Sequence, residues 1–274
     1  MRKTMMSSAL VAGVAFGGAA QARNLEIHDG HCGYTTDYDV RVNASGIDFW
    51  RDAGKPAQVN IHDGQLRVDG RDISVSADDA ARLRTYEAEV RGLLPEVAGI
   101  AREGVNIGYA AMRTVMITFA ESESDRRRMV DRLDENRRQA LARIDNGLGK
   151  GVWQHHDMDE TIADGIGESV SDLVGKITGE AVTAALSGNQ SKVAALQARA
   201  ESLDKSIDRE VNARSDALNR RSEALCPRLT QLDQLQQQFQ FRLQDGSRLQ
   251  LLIRDPNAKD NKKLATATER TRAD

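Results

Sequence analysis

The densest group of metal-capable side chains lies at residues 155–160, which read His-His-Asp-Met-Asp-Glu. Imidazoles and carboxylates bind Zn²⁺ or Cu²⁺, so the segment predicts a metal site, or a metal-dependent enzyme, that uses His155 and His156. Adjacent residues rarely face one ion, however, and no second histidine pair at zinc spacing supports them. Asp157 and Asp159 are explained equally well as capping groups where a helix begins. A metal site is therefore the alternative hypothesis for this segment, beside a structural one.

Histidines also precede the first cysteine. His28 and His31 flank an Asp-Gly step, Cys32 follows, and the same Ile-His-Asp-Gly sequence recurs at residues 61–64. Three histidines and a cysteine form a metal site if the fold gathers them, but Asp-Gly steps favour tight hairpin turns. A cysteine in a disulfide is also lost as a ligand. We therefore expect turns here rather than a metal site.

The first 22 residues predict a signal peptide. Arg2 and Lys3 form a short basic region, residues 4–22 carry no charge, and Ala20-Gln21-Ala22 fits the specificity of signal peptidase. The apolar stretch is too short for a transmembrane helix. We expect cleavage after Ala22 and a mature protein in the periplasm, without a transmembrane segment.

Export changes how the two cysteines are interpreted. In an oxidising compartment Cys32 and Cys226 predict a disulfide, because redox pairs lie close in sequence and metal pairs need two more ligands. The bond would close most of the mature chain into one loop. It would tie the N-terminal region to the end of the longest predicted helix.

Arginines are concentrated between residues 126 and 143. They are Arg126, Arg127, Arg128, Arg132, Arg137, Arg138 and Arg143. Acidic residues interleave with them, so much of the charge can pair along a helix and form a solvated face. Binding of an anionic glycan or a lipid headgroup is the alternative hypothesis.

Composition and motifs exclude several functional classes. The 38 basic and 41 acidic side chains leave a net charge of −3, which argues against a dedicated nucleic-acid binder. No nucleophile elbow, phosphate-binding loop, dinucleotide fingerprint or Cys-x-x-Cys pair occurs, so we assign no catalytic residue and no cofactor. Aromatic residues make up only 4% of the chain, which argues against a large β-sandwich.

Residues 23–75 predict a small antiparallel sheet. Apolar and polar residues alternate at 38–42, 47–50, 58–61 and 66–68, as expected for strands with one buried face. Asp-Gly steps at Asp63 and Asp69 predict tight turns between them. So small a sheet is not stable alone, so it should pack on helices.

Residues 76–150 predict the helices that pack on this sheet. Ser76 caps the first helix, Pro95 is expected to begin the second, and a third, highly charged helix runs from Ser124 to about Gly147. Residues 151–226 predict a long helical hairpin, with helices at about 159–186 and 191–225. Apolar residues of the second helix follow the spacing of a coiled-coil seam.

Residues 227–254 are expected to return to the N-terminal sheet as two strands, at 239–243 and 248–253. Residues 255–274 are polar and aperiodic, which predicts a disordered tail. The predicted fold is therefore α+β and mostly helical: a small antiparallel β-meander packed on a helical bundle with a long C-terminal helical hairpin.

The order of these segments resembles the YggN-like family of proteobacterial envelope proteins of unknown function. The resemblance rests on Cys32-Gly33-Tyr34, on residues 63–70, on Val75-Ser76-Ala77 and on the helix at 96–108. Leu225-Cys226-Pro227 is similar as well. The resemblance implies a periplasmic location and assigns no functional residues.

These patterns predict a non-enzymatic periplasmic protein that binds or scaffolds another envelope protein through its helical hairpin. The alternative is a metal-binding protein, or a metal-dependent envelope enzyme, that uses His155 and His156. The sequence leaves the identity of the partner and the oligomeric state open.

Overall fold

The computed structural model describes residues 32–120, 122–154, 186–207 and 211–254, together with 175, 178, 179, 182 and 183. Several predictions fall on other parts of the chain. They are the signal peptide, the histidines at 28, 31, 155 and 156, most of the helix at 159–186, and the tail at 255–274.

The strands are β1 (Tyr34–Thr35), β2 (Asp39–Asn43), β3 (Gly46–Trp50), β4 (Gln58–His62), β5 (Gln65–Val68), β6 (Arg71–Ile73), β7 (Val152–Trp153) and β8 (Ile253–Arg254). The main sheet has the order β6-β5-β4-β3-β2-β7, and every neighbouring pair in it is antiparallel. Strands β1 and β8 pair separately. Alternate side chains such as Val40, Phe49 and Ile61 enter the core, which gives the period-two pattern of the sequence.

Both Asp-Gly steps form the tight turns that the sequence predicts. Asp63 and Gly64 have φ angles of 45° and 78°, and Asp69 and Gly70 have 46° and 78°. Positive φ at both central residues is the conformation that suits the twist of a two-residue hairpin. These turns join β4 to β5 and β5 to β6.

Gly46, at the start of β3, permits a close approach of two strands. Its φ is 119°, and a Cβ atom there would lie 2.3 Å from the carbonyl oxygen of Ile61. We expect Gly46→Ala to lower the free energy of unfolding by about 2 kcal/mol or more in urea titrations. Gly70→Ala is the matched control, since its φ is also positive but no atom lies within 4 Å, and about 1 kcal/mol is expected. Equal losses in the two variants would contradict the close-approach argument.

One 43-residue helix, α1 (Ala77–Phe119), replaces the two helices predicted on either side of Pro95. Ser76 caps it as predicted, accepting a hydrogen bond from the Asp79 N–H at 3.1 Å. The helix continues through Pro95 because its apolar stripe does, with Val90 and Ala98 both buried.

The guanidinium of Arg228 supports the turn before Pro95. It donates to the backbone carbonyls of Glu89 and Gly92 at 3.2 and 3.5 Å. Proline has no N–H to donate within the helix. Arg228 therefore contacts α1 in the same stretch in which Pro95 interrupts the intrahelical hydrogen bonds.

The second helix, α2 (Glu123–Asn146), is capped by Ser122, two residues before the predicted start at Ser124. It packs antiparallel along the second half of α1, and a short 3-10 helix at Leu148–Lys150 leads into β7. Two hydrophobic cores result. The first joins the sheet, the first half of α1 and the C-terminal segment, and the second joins the remainder of α1 to α2.

The helix predicted at 191–225 corresponds to α3 (Gln190–Ile207) and α4 (Ala213–Glu223), and a further helix, α5 (Cys226–Gln237), follows. Residues 211 and 212 form a π-helical turn before α4. Pro227, which cannot donate a backbone hydrogen bond, lies in the first turn of α5. Residues 208–210 lie outside the described residues, so the continuity of the helix predicted at 191–225 stays a prediction.

Most residues of the predicted coiled-coil seam are half-buried, although Val193 and Ala200 are exposed, and α3, α4 and α5 all pack against α1. Leu218 lies near Gly104 of α1, where a Cβ atom would make an ordinary contact at 3.7 Å. The long C-terminal hairpin stays a prediction, because most of its first helix falls outside the described residues. The α+β, mostly helical fold class is confirmed. None of the helices described is both long enough and apolar enough to cross a bilayer.

The C-terminal segment contradicts the predicted strand pair at 239–243 and 248–253. Residues 238–252 form no strand, although alternate side chains are buried as the pattern indicates. The buried ones are Phe239, Phe241, Leu243, Leu249 and Leu251. The chain returns to the N-terminal region, where only Ile253–Arg254 pairs, and does so with β1.

Buried side chains take the place of a neighbouring strand. The Asp79 carboxylate accepts from the N–H groups of Gln240 and Phe241 at 3.1 and 3.2 Å. The Gln236 amide accepts from the Leu251 N–H at 3.0 Å and donates to the Leu252 carbonyl at 2.6 Å. Because these side chains satisfy the backbone, no strand pairing is needed.

Candidate partner-binding surface

The disulfide predicted between Cys32 and Cys226 is present. The two Cα atoms lie 4.9 Å apart, and the bond joins the residues before β1 to the first residue of α5. Tyr34 strengthens the same junction, since its hydroxyl donates to the Thr230 hydroxyl at 3.3 Å. The described residues contain no free cysteine. This junction is structural and offers no redox dithiol.

His155 and His156, the residues of the predicted metal site, lie outside the described residues. Within the described ranges, no three His, Cys, Asp or Glu side chains are grouped to hold an ion. His62, at the end of β4, has Nδ1 3.9 Å from the carboxylate of Glu87. The metal site therefore stays a prediction.

The arginines of α2 are paired along and across helices, which agrees with a solvated charged face. The contacts are Arg126 with Glu123, Arg128 with Asp125, Arg138 with Glu135, Asp134 with Arg113, and Arg137 with Asn106. Exposed pairs of this kind contribute little stability each. Three of the seven arginines, Arg126, Arg128 and Arg138, are neutralised in this way by a carboxylate of the same helix.

The pKa shifts of the described groups do not indicate acid–base chemistry. Burial raises the pKa of Tyr86 and that of Tyr109 further above neutrality. A hydrogen bond from Arg67 lowers the pKa of Asp72 further below it. A general acid or base works best with a pKa near the working pH, and these shifts lead away from that range.

An acid–arginine ladder, which the sequence analysis did not identify, joins α1 to the C-terminal helices. Its members are Glu89, Glu96 and Glu103 on α1 and Arg214, Arg221 and Arg228 on α4 and α5. Each set repeats every seven residues, the spacing at which one helix face recurs along a coiled coil. The seven-residue spacing is visible in the sequence and could have identified this set of charged residues.

The ladder sets the register of the antiparallel helices. Arg228 contacts Glu89 at 3.3 Å and Glu96 at 2.8 Å, and Arg214 contacts Glu103 at 3.0 Å. Arg221 crosses α1 at a glycine, where a Cβ on Gly99 would lie 3.0 Å from Nη2. The guanidinium groups thus lie directly against the backbone of α1.

Helix α3 packs against α1 as well. Since α1 has 43 residues, it is about 65 Å long. The second half of α1, with α2, α3 and α4, therefore forms a helical arm that projects away from the sheet.

Four large hydrophobic side chains are exposed among the described residues. They are Ile117, near the end of α1, Val182, and Leu186 and Val193 on either side of the turn at 187–189, and we call them the distal apolar patch. Leu186 is 85% exposed. Large exposed apolar patches are common at interaction surfaces.

Comparison with known proteins gives one match. A family model described as "Protein of unknown function (DUF2884)" matches residues 32–252. The matched region begins at the first cysteine and ends just before β8. No curated protein and no solved structure matches significantly.

Proposed function

Because the chain belongs to the DUF2884 family, whose function is unknown, we propose a function from its own surfaces. The protein is an exported, non-enzymatic binding or scaffolding protein of the bacterial envelope. Its helical arm binds another envelope protein through the distal apolar patch. We also propose that the protein is a member of the YggN-like proteobacterial group and that it lies in the periplasm.

Two observations support export. The first 22 residues have the basic, apolar and small-residue regions of a signal peptide. The structure contains a disulfide between Cys32 and Cys226, and such bonds persist in oxidising compartments such as the periplasm. Cleavage after Ala22 is the prediction that follows.

The distal apolar patch is the observation that carries the binding role. Leu186 precedes the turn at 187–189, Val193 lies in the first turn of α3 after it, and both side chains are exposed. Burial of an apolar side chain in an interface is favourable by about 25 cal/mol per Å² of surface removed from water. A partner with a complementary apolar surface therefore gains binding free energy by covering these side chains.

The charges near the patch favour a protein partner over lipid or nucleic acid. The first turn of α2 lies beside the end of α1, and there Arg126 pairs with Glu123 and Arg128 pairs with Asp125. Anionic lipid and nucleic acid are bound mainly by unneutralised basic groups. The paired arginines offer little such charge.

Site-specific photocrosslinking in intact cells tests the proposal. We expect a photoreactive residue at Leu186 or Val193 to give a discrete heavier adduct, and the same residue at the exposed Ala217 of α4 to give none. Mass spectrometry of the adduct identifies the partner. Crosslinking of equal strength from all three positions would contradict a localised binding surface.

Variants that introduce a positive charge separate binding from mere proximity. With the photoreactive residue at Ile117, we expect Leu186→Lys/Val193→Lys to abolish the adduct and Ala217→Lys to retain it. All these sites are exposed, so each variant should stay within about 0.5 kcal/mol of the parent stability. An adduct that persists in the double variant, or one with the mass of two copies of this chain, would contradict the proposal.

A further inference from the structure

The loop at residues 51–57, between β3 and β4, is held far more firmly than an exposed connection requires. Arg51 donates from Nε to the carbonyl of Pro56 at 3.0 Å, and its guanidinium also donates to the carbonyl of Lys55. The same guanidinium lies over the ring of Tyr38, 4.5 Å from its centre. The Tyr38 hydroxyl donates to the Pro56 carbonyl at 3.0 Å. The loop is therefore preorganised.

Asp69 fixes the other side of this loop. Its Oδ1 accepts from the N–H groups of Ala57 and Gln58 at 2.8 and 2.9 Å. The N–H of Asp69 donates to the Gln58 carbonyl at 2.9 Å. Arg51 and Asp69 are thus engaged within the loop, and the remaining side chains stay accessible to a ligand. Preorganisation of this kind lowers the entropic cost of binding.

Trp50 lies where β3 enters the loop, on the outer face of the sheet. The strand register places it between Asp39 of β2 and Gln58 of β4. The guanidinium carbon of Arg41 lies 5.1 Å from the centre of the indole ring. Trp50 is half-buried although it faces away from the core. Core packing therefore does not explain an indole at this position.

A shallow, open depression lies beside this indole. Trp50 lines it together with Asp52, Lys55 and Gln58, and the loop residues Arg51 and Asp69 complete it. Asp52 offers acceptors, Lys55 offers donors, and the Gln58 amide offers both. Two basic and two acidic side chains line the depression, so its charges balance. A ligand with a net charge therefore gains little electrostatic stabilisation in this depression.

We propose that this depression, the Trp50 site, binds an uncharged oligosaccharide. A sugar ring carries C–H groups on its faces, which pack against the negative face of an indole. Its hydroxyls both donate and accept, which matches the mixture of groups on Asp52, Lys55 and Gln58. This role goes beyond the proposed function, because the site lies on the sheet, apart from the helical arm.

The outer face of the sheet gives a longer glycan a polar path away from Trp50. The next row across the strands contains Asp48, Asn60 and Arg67. Asn60 donates to Asp48 at 2.7 Å, and Arg67 donates to Asp72 at 2.8 Å. Neighbouring strands lie about 4.8 Å apart, close to the advance of one sugar unit in a β-linked chain. An oligomer lying across the strands therefore meets a polar side chain at each unit.

Titration with chitotetraose, a β-linked tetramer of N-acetylglucosamine, tests the proposal on the purified full-length protein. We expect the indole N–H signal of Trp50 in the NMR spectrum to shift, and that of Trp153 to stay unchanged. Trp50→Ala should weaken binding by about tenfold or more, as expected when an aromatic anchor is truncated. Trp50→Phe should retain part of the affinity. Gln65→Ala, on the same face but at the other end of the strands, should have no effect.

Three outcomes would overturn the proposal. They are no Trp50 shift at any attainable chitotetraose concentration, equal affinity of the Trp50→Ala variant, and an equal response to inorganic phosphate. Thermal unfolding of every variant excludes misfolding as the cause of lost binding. Trp50→Phe keeps an aromatic ring and the fold, so loss of binding in Trp50→Ala alone assigns the interaction to the ring.

Discussion

Replacement of both Cys32 and Cys226 by alanine is expected to lower the free energy of unfolding by about 5 kcal/mol. The bond joins residues that are 194 positions apart. In the chain-entropy treatment, its loss restores a very large number of conformations to the unfolded chain. That is a large part of the stability of an ordinary domain.

Guanidinium titration followed by circular dichroism measures this loss. Helical signal should persist in the double variant before unfolding, because each of the two cores packs against α1 independently of the bond. Addition of reductant should destabilise the parent protein and leave the variant unchanged. Equal stability of parent and variant, or two thiols that react in denatured periplasmic material, would contradict a structural disulfide.

Replacement of Asp79 by alanine is expected to lower the free energy of unfolding by about 3–4 kcal/mol. Its carboxylate is almost fully buried and accepts from the N–H groups of Gln240 and Phe241. It also accepts from Arg82 at 3.0 Å. Its removal leaves two backbone donors without partners in the first core, and each such donor is costly when buried.

Asp78→Ala is the matched control, since Asp78 lies exposed in the same helical turn. It should lose only its favourable interaction with the helix dipole, about 0.5 kcal/mol. Asp79→Asn keeps one acceptor oxygen and should fall between the two. Urea titration gives the stabilities, and hydrogen exchange should show faster exchange at Gln240 and Phe241. Similar losses for Asp78→Ala and Asp79→Ala would refute this role for the buried carboxylate.

The elements predicted correctly are those whose signals are local. Strands β2 to β5 follow from period-two alternation, and their turns follow from the preference of Asp-Gly for positive φ. The Ser76 cap is likewise encoded within four residues. Strands β1, β7 and β8 have two residues each. That is too short for any period to be detected.

The errors arise where distant residues decide local structure. Pro95 predicts a helix boundary, yet α1 continues through it with buried apolar residues on both sides, and Arg228 contacts the preceding turn. The alternation at 239–251 predicts strands, but Asp79 and Gln236 satisfy the backbone instead. Local sequence does not reveal which distant side chain will supply such hydrogen bonds.

The candidate surfaces were also predictable only where their signals are local. The heptad spacing of Glu89, Glu96 and Glu103 is present in the sequence, but it does not tell which helix carries the opposite charges. The exposure of Leu186 depends on tertiary packing, which the local sequence does not reveal. Trp50 was placed correctly in a strand, whereas its position beside a rigid loop follows from tertiary contacts.

The disulfide also determines how the protein responds to mechanical force. Tension applied between Cys32 and Arg254 passes directly from Cys32 to Cys226 through the sulfur atoms. While the bond is intact, only residues 227–254 can be drawn out, a contour length of about 100 Å. The chain from 33 to 225, which holds the sheet and the helical arm, lies outside the path of the force. A molecule stretched between its two ends would therefore keep its arm unstrained.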